Sequence, residues 1–350
     1  KMDSVFSVPV LIGVPFGVVA ALSTISPTAA VVFHKICCYA WAWIHVFLSA
    51  EGSLSKRLKE TPDPDQLLNH PTQKVTVIFV RHGESAWNEI FNKGAVAERL
   101  LLMGPRLISA VISEVLCFFT PRSIFLDSPL SREGIAQAQK LRALVEGKDA
   151  LQKKSDAPDA AAKYLEVLAG KEGKSVLASS NLVRAAETMT IGFWSRVQAG
   201  EKVHIRSDLQ EISRNIDTMA LAPAKDVPPI TLGAALEFPS LDKATRFEAS
   251  GNRGQKDLFG NPVRRISSFA AWCFDESNPP GAAIIAGGHS LYFKSFFQAF
   301  LGRAVEHQAK QRKIVNCGVV AFTLHKGTVD GKELFRIDPE SITVVTGGFK

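Results

Sequence analysis

Short uncharged runs rich in apolar residues recur along the chain and predict buried strands. The runs KVTVIFV (74–80), KSVLAS (174–179) and AAIIAGG (282–288) lack the strict alternation of strands with one wet face. Such runs are typical of parallel sheets that are covered on both sides. Near the C-terminus, LFRID and SITVV predict an edge hairpin. The pattern therefore indicates an α/β domain that begins near residue 74.

A much longer apolar stretch precedes this domain. From Ser4 to Ala50 the only formally charged residue is Lys35. About 20 apolar residues suffice to cross the hydrocarbon core of a bilayer. Ser26 and Pro27 form an N-cap and first-turn pair, which predicts a helix over 27–49 that is apolar on every side. We expect residues 1–52 to be a membrane-embedded segment of one or two helices.

A signal peptide, a contact within a larger assembly and a core helix are other interpretations of this stretch. It is too long for the apolar region of a signal peptide. Packing within a larger assembly stays open, as does a core helix. The next residues, 53–73, mix charges with prolines and predict a juxtamembrane linker. Its cations Lys56, Arg57 and Lys59 would lie near anionic headgroups.

Two further segments stand out within the domain. Residues 95–120 carry a broad apolar helical pattern, which fits a core helix and a membrane-surface or partner-binding helix equally well. Residues 213–265 are proline-rich and basic, and they predict a long loop or cap. Its cations would select an anionic substrate, or they would belong to a solvated surface or subunit contact. They are Arg214, Lys225, Lys243, Arg246, Arg253, Lys256, Arg264 and Arg265.

Composition narrows the class of partner. The chain of 350 residues is 46% hydrophobic and 21% charged, as globular proteins are, and its net charge is +7. A basic balance suits nucleic acid, an anionic membrane or an anionic substrate. No basic helix interleaved with aromatic residues is present, so we expect no nucleic-acid partner. The five cysteines show no C-x-x-C spacing, so we expect neither a disulfide framework nor a zinc site.

Polar residues with the chemistry for phosphate follow three of the predicted strands. Arg81 and His82 follow the first, Arg184 lies just beyond the second, and His289 follows the third. Ligands of open α/β sheets bind beyond the carboxyl ends of the strands. Guanidinium groups hold phosphate oxygens, and a neutral imidazole can attack phosphorus. A leaving oxygen also needs a proton donor. Glu211, which follows the predicted strand VHIRS, is the candidate for this role.

The motifs that contain these residues resemble those of the histidine phosphatase superfamily, also called phosphoglycerate mutase-like. RHGESAWN (81–88) resembles its Arg-His-Gly signature, and DSPLSREGIAQAQ (127–139) resembles its second motif. SNLVRAAET (180–188) resembles the next, with Asn181 where proline is usual. Leu209-Gln210-Glu211 resembles the acid motif, and Gly-His-Ser at His289 replaces the commoner His-Gly. The resemblance covers about residues 74–326.

The resemblance implies a three-layer α/β/α fold and a role for each site residue. His82 would be the phosphorylated nucleophile and Glu211 the proton donor. His289 would act in catalysis and in the phosphate pocket, which further comprises Arg81, Ser85, Asn88 and Arg184. No cofactor and no metal are implied, because arginines supply the positive charge.

Two functions remain open on the sequence. The first is a membrane-anchored histidine phosphatase that hydrolyses a phosphomonoester through a phosphohistidine. The alternative is an accessory subunit of a large membrane complex, for example a mitochondrial energy-converting complex. Mutase activity is less expected, because the mutases' Arg-Phe and Gly-Trp elements are absent after Asn88. We expect an anionic phosphorylated substrate, a lipid membrane and other subunits as partners, at an intracellular membrane such as the mitochondrial inner membrane.

Overall fold

The computed structural model describes residues 23–24, 26–148, 159–230 and 242–350. The strands are β1 Thr72–Arg81, β2 Ser175–Ser180, β3 Val203–Arg206, β4 Phe247–Glu248, β5 Ala283–Gly288, β6 Val319–Val329, β7 Lys332–Ile337 and β8 Thr343–Thr346. They form one sheet in the order β4-β3-β2-β5-β1-β6-β7, with β8 also paired to β6. The pairs from β4 through to β1 are parallel, and the pairs that β6 makes are antiparallel.

Helices connect and cover these strands. They are α1 Pro27–Leu48, α2 Leu54–Glu60, α3 Ala86–Phe91, α4 Val96–Cys117, α5 Arg132–Val145, α6 Asp159–Leu168, α7 Val183–Gly192, α8 Trp194–Gln198, α9 Lys243–Arg246, α10 Pro262–Trp272, α11 Ser290–Phe300 and α12 Gln308–Gln311. Short 3-10 turns occur at Ala50–Ser53, Pro64–Asn69, Ser207–Leu209, Ile216–Thr218 and Pro339–Ser341.

Alternate residues of β1 pack into separate cores on the two faces of the sheet. Val77 and Phe79 join a cluster with α10 and α11, whereas Ile78 and Val80 join one with α5, α7 and α8. Phe79 stacks on Phe293 with ring centroids 4.0 Å apart. Burying such a side chain contributes about 2 kcal/mol. A strand buried on both faces reads as a continuous apolar run, and the predicted three-layer, mostly parallel α/β fold is confirmed.

The predicted C-terminal hairpin is wrong in its pairing. LFRID lies in β7 and SITVV in β8, but each pairs antiparallel with β6. The tight turn lies instead between β6 and β7, where Asp330 and Gly331 adopt φ of 49° and 73°. An Asp-Gly pair with both residues at positive φ is the turn that matches the twist of a hairpin. The Asp330-Gly331 turn therefore makes β6 and β7 the hairpin, in place of β7 and β8.

The N-terminal helix α1 forms as predicted and begins at the Ser26 cap and Pro27. One side of it is docked on the domain, through Lys35, Cys38, Ala42 and His45. Cys38 and Ala42 pack with Leu126, Met219 and Leu221. The described part of the expected membrane-embedded segment thus lies along the domain and is not apolar on every side, because its buried stripe contains a lysine and a histidine. Residues 1–22 of that segment lie outside the described residues.

The segment expected as a linker is also docked. Leu67 is fully buried, and Leu54 and Leu58 pack against the core on the α10 and α11 side. Asp65 accepts a hydrogen bond of 2.9 Å from Arg336. The structure differs from the expectation because the leucines between the charged residues pack against that core.

Helix α4 forms where the apolar insertion predicted it. Glu114 faces inward, where it accepts from Ser123 and from the Ile124 amide at 2.6 Å. Most of its apolar side chains are exposed, which rules out the core-helix interpretation. These are Val96, Leu101, Met103, Leu107, Ile108, Val111, Ile112, Val115 and Leu116. By length and composition alone, the described stretches Pro27–Glu60 and Val96–Cys117 could each cross a membrane.

A buried charged contact joins α1 to α4. The Lys35 ammonium, whose side chain is 1% exposed, lies 3.6 Å from Glu114. It also donates to the carbonyls of Cys117, Phe118 and Arg122 at 2.9, 3.4 and 2.5 Å. Every ammonium proton therefore has an acceptor, as a buried cation requires.

Replacing Lys35 with methionine should destabilise the protein. The change leaves Glu114 and three carbonyls without their cation, which costs about 3 kcal/mol for a buried pair. Denaturant unfolding of the purified protein measures the loss, with the exposed Lys56→Met as its control. Equal stability of the two variants would show that the contact is not structural.

Candidate active site

Three neighbouring parallel strands end at one edge of the sheet and bring the predicted site residues together. β1 ends at Arg81, opposite Gly288 at the end of β5, and the His82 amide donates to the Gly288 carbonyl at 3.0 Å. β2 ends beside β5 at Ser180. His82 and His289 consequently lie with ring centroids 5.0 Å apart.

A polar cavity of about 140 Å3 opens at this edge. It takes its walls from the end of β1, from α3, from the residues around 211–218 and from the start of α11. Five of the seven predicted site residues line it, namely Arg81, His82, Asn88, Arg184 and Glu211. The other lining residues are Trp87, Asn92, Ser213, Asn215, Asp217, Thr218, Ser290, Leu291 and Lys313.

His82 is held as a neutral imidazole with one free nitrogen. Its Nδ1 lies 2.5 Å from the carbonyl of Gly83, which can only accept, so Nδ1 carries the proton and Nε2 the lone pair. Burial, reinforced by the charges of Arg184 and Arg81, holds the pKa of His82 well below its usual range. The imidazole is therefore neutral at neutral pH, with a lone pair on Nε2, as a nucleophile must be.

Two buried guanidinium groups flank this histidine with donors to spare. Arg81 donates Nη1 to the Ile314 carbonyl at 2.7 Å, and Arg184 donates Nη1 to the Asp217 carbonyl at 2.8 Å. Neither Nε has a hydrogen-bond partner among the described residues. Burial lowers the pKa of Arg81 to about 10, which leaves it charged at neutral pH. Buried cations with unused donors favour binding of an oxyanion.

His289 lies behind His82 and is completely buried. Its Nε2 is 2.9 Å from the Ser180 hydroxyl, which also accepts from the Leu182 amide. In the tautomer that accepts the hydroxyl proton at Nε2, the ring proton is on Nδ1, which has no partner among the described residues. Burial, together with the charge of Arg184, keeps the pKa of His289 well below its usual range. Its ring does not line the cavity, so it acts from beside His82.

Glu211 sits where a proton donor is needed. Its Oε1 accepts from the amides of Ile212 at 3.0 Å and of Tyr292 at 2.8 Å, which fixes the carboxyl at the start of α11. Oε2 has only a longer contact of 3.4 Å with the Leu291 amide. Burial raises the pKa of Glu211, against the opposing charge of Arg184. A carboxyl with a raised pKa can donate a proton near neutrality.

Ser85 and Asn88 have different roles. The Ser85 hydroxyl accepts from the Asn88 amide at 3.2 Å and caps α3, and Ser85 is not among the lining residues. The prediction that Ser85 binds phosphate therefore has no support from this geometry. The Asn88 side chain does line the cavity, and its Oδ1 accepts from Asn92 at 2.9 Å. That bond leaves the Asn88 amide nitrogen available to a ligand.

Two residues at the site were not predicted as part of it. Asp217 lies 3.5 Å from Arg184 and lines the cavity, and burial raises its pKa. Lys256 is buried and donates to the Glu211 carbonyl at 2.9 Å, to the Ser213 carbonyl at 2.7 Å and to Thr218 Oγ1 at 3.0 Å. Burial lowers its pKa to about 7. Both fold back from the 213–265 segment, and only the tertiary structure shows where they point.

None of the cations of that segment, Lys256 included, is among the residues that line the cavity, so the geometry does not support their selecting substrate. Arg214 donates to the Ser49 carbonyl at 2.8 Å and Arg246 to the Val197 carbonyl at 2.6 Å. Arg265 pairs with Glu51 at 2.6 Å. These three side chains act as structural cross-links. Residues 231–241 of the predicted cap lie outside the described residues.

The remaining motif residues form the frame that holds the site. Buried Asp127 accepts from the amides of Val183 at 2.7 Å and Leu221 at 2.9 Å, so it ties its own loop to α7 and to the wall at 213–221. Gly83 and Gly134 allow two motifs to touch. A Cβ on Gly134 would lie 2.0 Å from the Glu84 carbonyl oxygen, and one on Gly83 would lie 2.5 Å from that of Gly134.

The contacts of Asn181 explain why asparagine stands where the motif usually has proline. Its amide donates to Ser207 at 3.2 Å, to Asn252 at 3.1 Å and to the Gly254 carbonyl at 3.0 Å. A proline could make none of these bonds. The substitution thus anchors the segment that carries Lys256 against the end of β2.

Together these groups suit nucleophilic transfer of a phosphoryl group. A neutral imidazole, two guanidinium groups and a buried acid line one small cavity, and His289 lies beside the imidazole of His82. Within the described ranges, no group of three His, Cys, Asp or Glu side chains is placed to hold a metal ion.

Comparison with solved structures finds chains that are similar to this one at low identity. The chain is similar to a mycobacterial glucosyl-3-phosphoglycerate phosphatase solved with VO3, at 15% identity and a TM-score of 0.37 over 75% of this chain and 97% of that one. It is similar to phosphoglycerate mutase from Bacillus anthracis, at 15% identity and a TM-score of 0.38 over 76% of this chain and 92% of that one. It is also similar to the alpha-ribazole phosphatase of Shigella flexneri, at 13% identity and a TM-score of 0.34 over 79% of this chain and 98% of that one. No family model and no curated protein matches the chain.

Proposed function

We propose that the chain is a membrane-associated histidine phosphatase that hydrolyses a phosphomonoester through a phosphohistidine at His82. The observation that carries this proposal is the state of His82. It is buried, neutral and oriented with Nε2 free, between two guanidinium groups that have unused donors. A structural imidazole would not need two buried cations beside it, because each cation costs desolvation energy.

The reaction follows from these positions. Arg81 and Arg184 bind the phosphoryl oxygens, while His289 lies beside the His82 ring with the two ring centroids 5.0 Å apart. Nε2 of His82 attacks phosphorus while the ester P–O bond breaks, and Glu211 gives its proton to the leaving oxygen. In the second step Glu211 takes a proton from water, whose oxygen attacks the phosphohistidine. The P–N bond breaks, phosphate leaves, and His82 returns to its neutral form.

The segment after Asn88 favours hydrolysis over mutase activity. There the chain builds α4, whose outer face is apolar and exposed. The cavity adds one further cation, Lys313, and otherwise has amide and hydroxyl groups, Trp87 and Leu291 on its walls. This lining supports a phosphatase for an anionic phosphomonoester more than a site for a three-carbon acid.

Membrane association rests on the apolar surfaces. Trp43, Ile44, Phe47 and Leu48 form an exposed stripe on α1, and α4 carries a larger exposed apolar face. Residues 4–22, which precede α1 in the sequence, carry no charge. Soluble surfaces rarely leave so many large apolar side chains uncovered. We propose an intracellular membrane, such as the mitochondrial inner membrane, since five free cysteines suit a reducing compartment.

The same surfaces support a second candidate. An accessory subunit of a membrane complex would bury the faces of α1 and α4 against other subunits. The small cavity would then be a remnant of the fold with little or no turnover. The two functions differ in whether His82 is needed for hydrolysis.

Replacing His82 with alanine should abolish phosphatase activity. Hydrolysis of a panel of phosphomonoesters should fall by at least about 10³-fold, because the covalent route is lost. His70→Ala, which removes an exposed imidazole, is the matched control and should keep full activity. Wild-type protein without His82-dependent turnover on any substrate would favour the accessory subunit.

Replacing Glu211 with glutamine should remove the alkaline limb of the pH profile. Since the pKa of Glu211 is raised, the wild type keeps its acid form above the ordinary range and loses activity as pH rises through that pKa. In the first step, measured as the burst of released alcohol, the variant should lose about 10²-fold on alkyl phosphates and much less on p-nitrophenyl phosphate, whose leaving group needs no proton.

The exposed Glu166→Gln is the control for this variant. Equal losses on alkyl and aryl esters, or an unchanged alkaline limb, would show that Glu211 is not the acid.

A further inference from the structure

The two apolar helices are each attached to a different wall of the cavity. Helix α4 follows α3 after four residues, and Arg106 of α4 donates to the Lys93 carbonyl at 3.2 Å. Asn88 and Asn92, at the end of α3, line the cavity. The N-terminal half of α4 is therefore held against the α3 wall.

Helix α1 holds the opposite wall. His34 lies 2.8 Å from the Leu221 carbonyl, and Arg214 donates to the Ser49 carbonyl at 2.8 Å. These contacts bracket residues 213–221, whose first half lines the cavity. The buried contact between Lys35 and Glu114 then joins α1 to α4. The exposed apolar faces thus belong to one unit beside the mouth of the site.

Helix α4 is held to the same domain at its start, its middle and near its end. It begins four residues after α3, Arg106 at its middle donates to the Lys93 carbonyl, and Glu114 accepts from Ser123 and from the Ile124 amide. Its 22 residues span about 33 Å. A helix whose two ends return to one folded domain cannot cross a bilayer while the domain stays on one side. It can lie in the plane of the headgroups with its apolar face inserted.

The cavity also limits what a substrate can place inside it. A volume of about 140 Å3 holds a phosphoryl group and little more. The rest of a substrate must lie outside the cavity, whose walls include the apolar side chains of Trp87 and Leu291. Lys313, which is exposed and lines the cavity, adds a cation suited to an anionic membrane surface.

We propose that α4 and the exposed stripe of α1 form an in-plane membrane-binding surface, and that the site acts on a phosphomonoester carried by a lipid. The inference rests on the proposed phosphatase function. The lipid tails stay in the bilayer, and the headgroup phosphate enters between the α3 wall and the 213–218 wall. The surface orients the cavity towards the headgroups.

Vesicles separate this proposal from its alternatives. The probe is the full chain mixed with phosphatidylcholine vesicles that contain phosphatidate, with glycerol phosphate and p-nitrophenyl phosphate as free phosphomonoesters. The variant Ile108→Glu/Val115→Glu places two charges on one exposed face of α4. Leu68→Glu, at an exposed leucine away from α4, is the matched control.

The double variant should lose at least about tenfold in vesicle cosedimentation and in phosphatidate hydrolysis, since a charged side chain in the apolar layer is costly. Its hydrolysis of p-nitrophenyl phosphate should stay unchanged, and Leu68→Glu should match the wild type in all three assays. Wild-type phosphatidate hydrolysis should exceed that of glycerol phosphate by at least about tenfold.

Several results would overturn the proposal. Unchanged cosedimentation of the double variant would show that α4 does not meet the bilayer. Membrane binding only after removal of residues 1–22 would show that this segment covers the face, and a copurifying protein on the face would show a protein partner. Equal rates on phosphatidate and glycerol phosphate would reject a lipid substrate. Absence of any wild-type turnover, with vesicle binding intact, would reject the phosphatase function and with it the lipid substrate, while the binding surface would stand.

Discussion

The structure depends on two buried arginines that are only partly neutralised at the carboxyl ends of three parallel strands. A buried cation is costly unless it is paired. Arg81 and Arg184 use some donors on carbonyls and on Asp217, and each retains an unpaired Nε among the described residues. In the function that we propose, a phosphate dianion completes both sets of donors. Burial, reinforced by the same two positive charges, holds the pKa of His82 well below its usual range, so the charges that bind substrate in our proposal also help to keep the imidazole neutral.

Holding these groups in place requires a rigid frame, and much of the sequence outside the cavity provides it. Asp127 connects three segments, Lys256 closes the loop that carries Glu211 and Asp217, and Asn181 fixes the segment behind them. Apolar helices α1 and α4 brace the outer walls through a buried lysine and glutamate. The membrane-facing surface that we propose is thus part of the support of the site, which links location to activity.

The sequence predicted those features that local patterns determine. The continuous apolar run of β1 predicted a buried strand, and the cap predicted the start of α1. Arg81, His82 and Arg184 were predicted to lie together because they follow the ends of predicted strands. Features set by tertiary contacts were missed. Nothing local shows that Lys35 and His45 turn inward on a helix otherwise suited to lipid, or that Asp217 and Lys256 reach the site. Ser85 matched the motif, yet its hydroxyl is used to cap α3.

The central claim is that Nε2 of His82 becomes phosphorylated, and it can be tested on the enzyme directly. The protein is mixed with a phosphomonoester and quenched at alkaline pH. Peptide mass spectrometry then identifies the phosphorylated residue, and phosphorus NMR identifies the ring nitrogen that carries the phosphate. Because Nδ1 donates to the Gly83 carbonyl, phosphate should appear on Nε2 of His82. Phosphate on Nδ1 or on another residue, or hydrolysis with no phosphohistidine at any time after mixing, would contradict this account.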